Sequence, residues 1–207
     1  MKKLLLLLIL ITSGQVLTGQ KIDFEEVDNI EDYQEWIEEV RRDSSMLFIV
    51  LWDRNDVAWQ RMEAAEALDD AAFIASVTSY KALKIPITSE MGARWVQLFP
   101  ANQLPAFYFL QEDELLLQIR SGYQTSAELR EAALKAKSLR GKYQELANAY
   151  GNSNLSNEQW KDLLYIHSLN FSFKESLDLA LEFLNGKSET LEKPRKPPKH
   201  LLRHSGG

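Results

Sequence analysis

The sequence predicts an α/β fold, a central mixed sheet flanked by helices, followed by a C-terminal helical hairpin. Three observations carry this. The apolar run Met46 to Trp52 breaks into a polar turn, Asp53-Arg54-Asn55, and resumes at helical spacing through Trp59, Met62, Ala65 and Leu68. A second apolar run, Ala106 to Leu110, meets the turn Gln111 to Glu114 and returns over Leu115 to Arg120, the pattern of an antiparallel hairpin. Three capping boxes, beginning at Thr125, Ser156 and Ser172, then open one helix after another.

In chain order, the start MKKLLLLLILITSGQ has a basic end at Lys2 and Lys3 and a short apolar stretch, which reads as a signal peptide over residues 1–19. The stretch is too short for a stable span. Cleavage is placed after Gly19, with Gly14 and Gln20 as alternatives. The mature chain is thus expected to be exported, periplasmic or extracellular, with no membrane span. A lipid anchor would need a cysteine, and the chain has none.

Phe24, Val27, Ile30, Tyr33, Trp36, Ile37 and Val40 form one helical face, so a helix is expected over 30–42. Asp28 or Asn29 caps it, with Glu31 and Asp32 in its first turn and Arg41 and Arg42 in its last. The strand 46–52 follows, then a helix from Asp56 to about Leu68. Segment 71–77 covers the next strand, 79–85, which Pro86 limits. Helix 89–99 buries Met91, Trp95, Leu98 and Phe99, and Pro100 ends it. After the hairpin come helices over 125–139, 141–150, 156–169 and 172–184. In the last two, Trp160, Leu163 and Leu164 are expected to face Leu177, Ala180, Leu181 and Leu184.

This order, and the residues at its landmarks, resembles the thioredoxin-like superfamily, in particular the secreted thioredoxin_7/DUF255-like type. Trp52 with Asp53-Arg54-Asn55 resembles the family's Trp and the residues ahead of its redox motif. Trp59-Gln60-Arg61-Met62 resembles the second motif cysteine and the residues after it. Leu104-Pro105-Ala106-Phe107-Tyr108-Phe109 is similar to the segment that holds a cis-proline opposite the motif, and Ser121-Gly122-Tyr123 to the glycine before the last helix. The resemblance covers about residues 24–139. It implies a thioredoxin-like domain over 20–139, a helical extension over 140–186, and a cis bond at Leu104–Pro105.

The departures decide the chemistry. The two cysteine positions hold Asp56 and Trp59, and Val50 stands where the family keeps a buried acid. Thiol–disulfide exchange needs a thiolate attacking a sulfur, so redox activity is not expected. Asp53 and Asp56 lie close in one turn, but acid–base work needs environments that separate two pKa values, and Asp56 is placed to cap a helix. His167, His200 and His204 have no metal-ligand spacing, and no phosphate loop or nucleophile–base pattern is readable. No catalytic residue, cofactor or metal is expected.

Residues 20–186 hold 16 Lys and Arg against 28 Asp and Glu, a net of −12, which argues against nucleic acid. Residues 187–207 are basic, at 6 against 2, contain Pro194, Pro197 and Pro198, and read as a disordered tail. The expectation is a redox-inactive module that binds a protein or peptide at a groove of Trp52, Asp53, Asp56, Trp59, Leu104 and Pro105. Trp59 is read first as a plug filling vacated space, and second as a platform residue in that groove. Two alternatives stand beside this: a scaffold acting through the helical extension, which would show an apolar patch there, and an enzyme using Asp53 or Asp56, which would show a deep pocket with a carboxylate at its base.

Overall fold

A computed structural model describes residues 21–185 apart from Pro100, Ser153, Asn154 and Ser172. The expected signal peptide, the basic tail and the capping box at Ser172 lie outside the described residues. Strand β1 is Phe24–Glu26, and helix α1 is Ile30–Asp43. Asn29, rather than Asp28, caps α1 by accepting from the Asp32 N–H at 2.9 Å. Ser44 closes it in the left-handed region, bonding back to Val40 and Arg41.

Strand β2, Met46–Trp52, is bounded as expected, and its six residues from Met46 to Leu51 are all buried. Alternate residues feed opposite faces of the sheet, which is why the whole run is apolar. The next helix, α2, is Val57–Ala64 and stops short of Leu68. Glu66 turns left-handed at φ 50°, and the Ala67 N–H reaches back to the Met62 carbonyl. The turn keeps Ala67 and Leu68 against the core, so the apolar spacing continues where the helix does not.

Segment 71–77 is itself a helix, α3, Ala71–Val77, capped by Asp70 on the Phe73 N–H at 2.8 Å. Its inward residues Phe73, Ile74 and Val77 sit at helical spacing. Strand β3, Tyr80–Pro86, takes in Pro86 as its last residue, where a missing N–H costs no ladder bond.

Helix α4, Glu90–Leu98, buries Met91 and Trp95, while Phe99 is buried just beyond its end and Leu98 is half-exposed. Gly92 is required here: a Cβ would meet the Pro86 carbonyl oxygen at 2.1 Å. Strands β4, Ala106–Leu110, and β5, Leu116–Ser121, form the antiparallel hairpin. Helix α5, Ser126–Leu139, carries both bonds of the Thr125–Glu128 capping box.

The strand order is β1-β3-β2-β4-β5, with β1, β3 and β2 parallel and β4 and β5 antiparallel to their neighbours. One face carries Leu47, Ile49, Leu51, Leu83 and Tyr108 under α1 and α4. The other carries Phe48, Val50, Phe107 and Phe109 under α2, α3 and α5. Phe48 holds this face together, lying 4.9 Å from Phe109 and 5.6 Å from Phe73 between ring centroids.

The extension is α6, Lys142–Gly151, α7, Asn157–Asn170, and α8, Phe173–Asn185. Both bonds of the Ser156–Gln159 capping box form. Asn170, at the end of α7, fastens the extension to β5. Its side-chain oxygen accepts from the Leu116 N–H at 2.8 Å, and its amide donates to the Leu116 carbonyl at 2.8 Å. An amide side chain thus does for the sheet edge what a sixth strand would do.

The facing expected for α8 is not what the structure has. Leu179 is buried and Phe183 lies 5.3 Å from Trp160, whereas Leu177, Leu181 and Leu184 are 43, 45 and 75% exposed. Helix α8 has apolar residues on two faces, and the aromatic pairing of Phe183 with Trp160 selects the one that turns inward.

Candidate functional site

The turn between β2 and α2 is built by its own polar side chains. Asp53 accepts the Asn55 N–H at 2.8 Å, and Asp56 accepts the Trp59 N–H at 2.8 Å as the N-cap of α2. Each aspartate therefore has a carboxylate oxygen engaged by backbone within the turn. The Trp52 carbonyl, at the end of β2, accepts from Ile87 at 2.9 Å and fixes the turn to the loop before α4.

Trp59 comes from the inward face of α2 and is 1% exposed. Its ring centre lies 5.2 Å from that of Trp52. It is a core residue, placed where the plug reading put it, and it offers no surface to a partner. Trp52 is half-buried, as are Asp53, Asp56 and Leu104, while Pro105 is buried.

The Leu104–Pro105 bond is cis. Leu51 pairs with Ala106, so the antiparallel register brings Pro105 alongside Trp52 at the same end of the sheet. The Pro105 carbonyl accepts the Gly122 N–H at 2.8 Å, and Gly122 has φ 74°, a conformation that favours glycine. The six residues singled out in the sequence thus gather at one end of the β2–β4 pair.

The strands and helices of residues 24–139 follow a fixed path: β1-α1-β2-α2-α3-β3-α4, then the hairpin β4-β5 and α5, with β2 central and β1 and β5 at the edges. The fold is thioredoxin-like. Solved structures that match the chain include a thioredoxin from Thermus thermophilus at 13% identity, covering 57% of this chain and 90% of that one with a TM-score of 0.47. A thioredoxin from Nicotiana alata matches at 15% identity over 57% of this chain and 96% of that one, with a TM-score of 0.46. The C-terminal domain of DsbD from Neisseria meningitidis matches at 10% identity over 54% and 99%, with a TM-score of 0.47. The fold rests on strand order and direction, not on these scores. No family model matches the chain, and no curated protein does.

Several residues of the thioredoxin-like domain near the turn escaped the sequence reading. Val57, directly after Asp56, is 69% exposed. The Arg61 guanidinium sits 4.7 Å from the centre of the Tyr123 ring. Lys84 on β3 stands behind Trp59, with its ammonium 4.8 Å from that ring's centre. The signal for Lys84 was present: a lysine between Leu83 and Ile85 is unusual in a strand covered on both faces. Among the described residues no three of His, Cys, Asp and Glu cluster in a way that would hold a metal ion, and no helix is long and apolar enough to cross a membrane.

Proposed function

We propose that this chain is an exported, redox-inactive protein of thioredoxin-like fold, of the secreted type that its landmarks resemble, which binds another protein through the outer face of α8. Redox inactivity follows from the absence of any cysteine in the 207 residues. The observation that carries the binding surface is the row Leu177, Leu181 and Leu184 at helical spacing on the exposed side of α8. Such a row suits an amphipathic partner helix whose apolar residues recur every three or four positions.

The groove at the turn is a weaker interaction surface, because its largest residue, Trp59, is enclosed. An enzyme working through Asp53 or Asp56 is weaker still, since both carboxylates hold the backbone of the turn. The test is capture from the exported fraction with three baits: the full chain, a Leu177→Ser, Leu181→Ser, Leu184→Ser variant, and Val57→Glu at the turn. The expected result is one partner retained by the full chain and by Val57→Glu, and lost from the leucine variant, with no insulin reduction by any of them. A partner lost on Val57→Glu and kept by the leucine variant would return the binding site to the turn.

A further inference from the structure

Lys84 occupies an inner strand, in register with Val50 of β2 and Glu26 of β1. Its ammonium is half-buried among three aromatic rings, 4.8 Å from the centre of Trp59, 4.9 Å from Phe24 and 5.5 Å from Trp52. Among the described residues no oxygen accepts a hydrogen bond from it. Burial lowers its pKa, opposed by the more distant carboxylates Glu63, Glu26 and Asp69. Beside it, the Trp59 indole N–H is buried and has no hydrogen-bond partner. The indole N–H groups of Trp52 and Trp95 are buried without a partner as well, whereas Lys84 is only half-buried and its ammonium can be met from the adjoining cavity.

Lys84 and Trp59 both line one cavity of about 320 Å³. Its walls are Ile22, Phe24, Met62 and Leu68. Around the opening stand the exposed side chains of Glu63, Glu66, Asp69 and Lys21, the last two paired at 3.6 Å. The inside therefore offers a cation, the walls are apolar, and the rim is mainly anionic. The size is at the low end for ligand pockets, so the occupant is small.

We propose that this cavity binds a small zwitterion with an apolar side chain, a free amino acid or a short peptide. Its carboxylate meets Lys84 Nζ, its side chain lies among Phe24, Met62 and Leu68, and its ammonium faces Glu63 and Glu66. The site is on the β3 side of Trp59 and is independent of the leucine row on α8.

The test is titration of the full chain with L-leucine, followed by the fluorescence of the tryptophans and by amide shifts around Lys84. Saturable binding is expected, weakened at least about tenfold for leucinamide, which lacks the carboxylate, and for N-acetyl-leucine, which lacks the ammonium. Leucyl-leucine distinguishes the free amino acid from a peptide source. Lys84→Met should abolish binding, and Lys84→Gln, which keeps a donor without the charge, should weaken it; the circular dichroism of both variants checks that they fold. No saturable binding of leucine or leucyl-leucine, equal binding of leucinamide, or wild-type affinity in folded Lys84→Met would overturn the proposal.

Discussion

At the turn 53–59 a large aromatic residue is drawn inside, whereas on α8 three leucines at helical spacing stand in solvent. At the turn the polar side chains hold the local backbone and Trp59 fills the core. Helix α8 lies outside the sheet, and it keeps apolar surface that none of the other described residues covers. The lesson is that the most apolar residue near a turn need not mark a binding surface. Trp59 is enclosed, and the apolar surface that the described residues leave exposed lies on α8.

The sharpest way to break this contrast is to shorten one residue in each region. Trp59→Ala should destabilise the protein by about 3–5 kcal/mol, the range for emptying a buried aromatic position. Leu181→Ser should stay within about 0.5 kcal/mol, as expected of an exposed site. Urea unfolding of the two variants measures both. A neutral Trp59→Ala or a strongly destabilised Leu181→Ser would erase the distinction between plug and open face.

Asn170→Ala tests how firmly the extension is held. It removes the partner of both backbone groups of Leu116 and should cost about 1–3 kcal/mol. Hydrogen exchange at the Leu116 amide should rise well above that at Phe109. Unchanged protection would mean that packing alone holds α7 on β5.

Asp56→Ala should cost about 1 kcal/mol by loss of the α2 cap, and Asp56→Asn should recover most of it. Recovery by the uncharged residue would separate a cap from a carboxylate with a chemical role. Thermal unfolding of the pair of variants gives the answer.

The smallest effect concerns pH. His167 on α7 stacks on Phe171 at 4.0 Å, and its Nδ1 lies 3.2 Å from Ser176 Oγ of α8. Burial lowers its pKa below the ordinary 6.5, partly offset by Glu175. Well above pH 6.5 the ring is neutral in both folded and unfolded chains. Below it the unfolded chain takes up a proton that the folded one resists, so stability contributed by neutral His167 is lost as pH falls. Between about pH 7.5 and 5.5 the wild type should lose slightly more melting temperature than His167→Gln. An equal loss in both would remove His167 as the cause.

How much of this was legible depended on whether a segment has one answer. Strand β2 could be bounded because both its faces are covered, leaving an uninterrupted apolar run. Helix α5 could be placed because Thr125 and Glu128 mark its start chemically. Residues 71–77 are too few to display a helical period, so α3 was hidden. The orientation of α8 was unreadable because two of its faces are apolar, and only the ring of Trp160 distinguishes them. At the site, the arrangement of Trp52, Asp56, Trp59 and Pro105 was expected from the resemblance of these landmarks to the thioredoxin-like pattern. The cavity behind Trp59 did not, because it depends on Phe24, Met62 and Lys84, which meet only when β1, α2 and β3 come together.

The clasp between Asn170 and Leu116 also sets an order of events during synthesis. The two residues are separated by 54 positions. At a synthesis rate of roughly 5–20 residues per second, about 3–11 s pass between the appearance of one and the other. Throughout that interval β5 has no amide clasp to guard its outer edge, and an unguarded edge is a template for pairing with another chain. The sheet of a nascent chain is therefore complete in sequence before it is protected, and its protection arrives with α7.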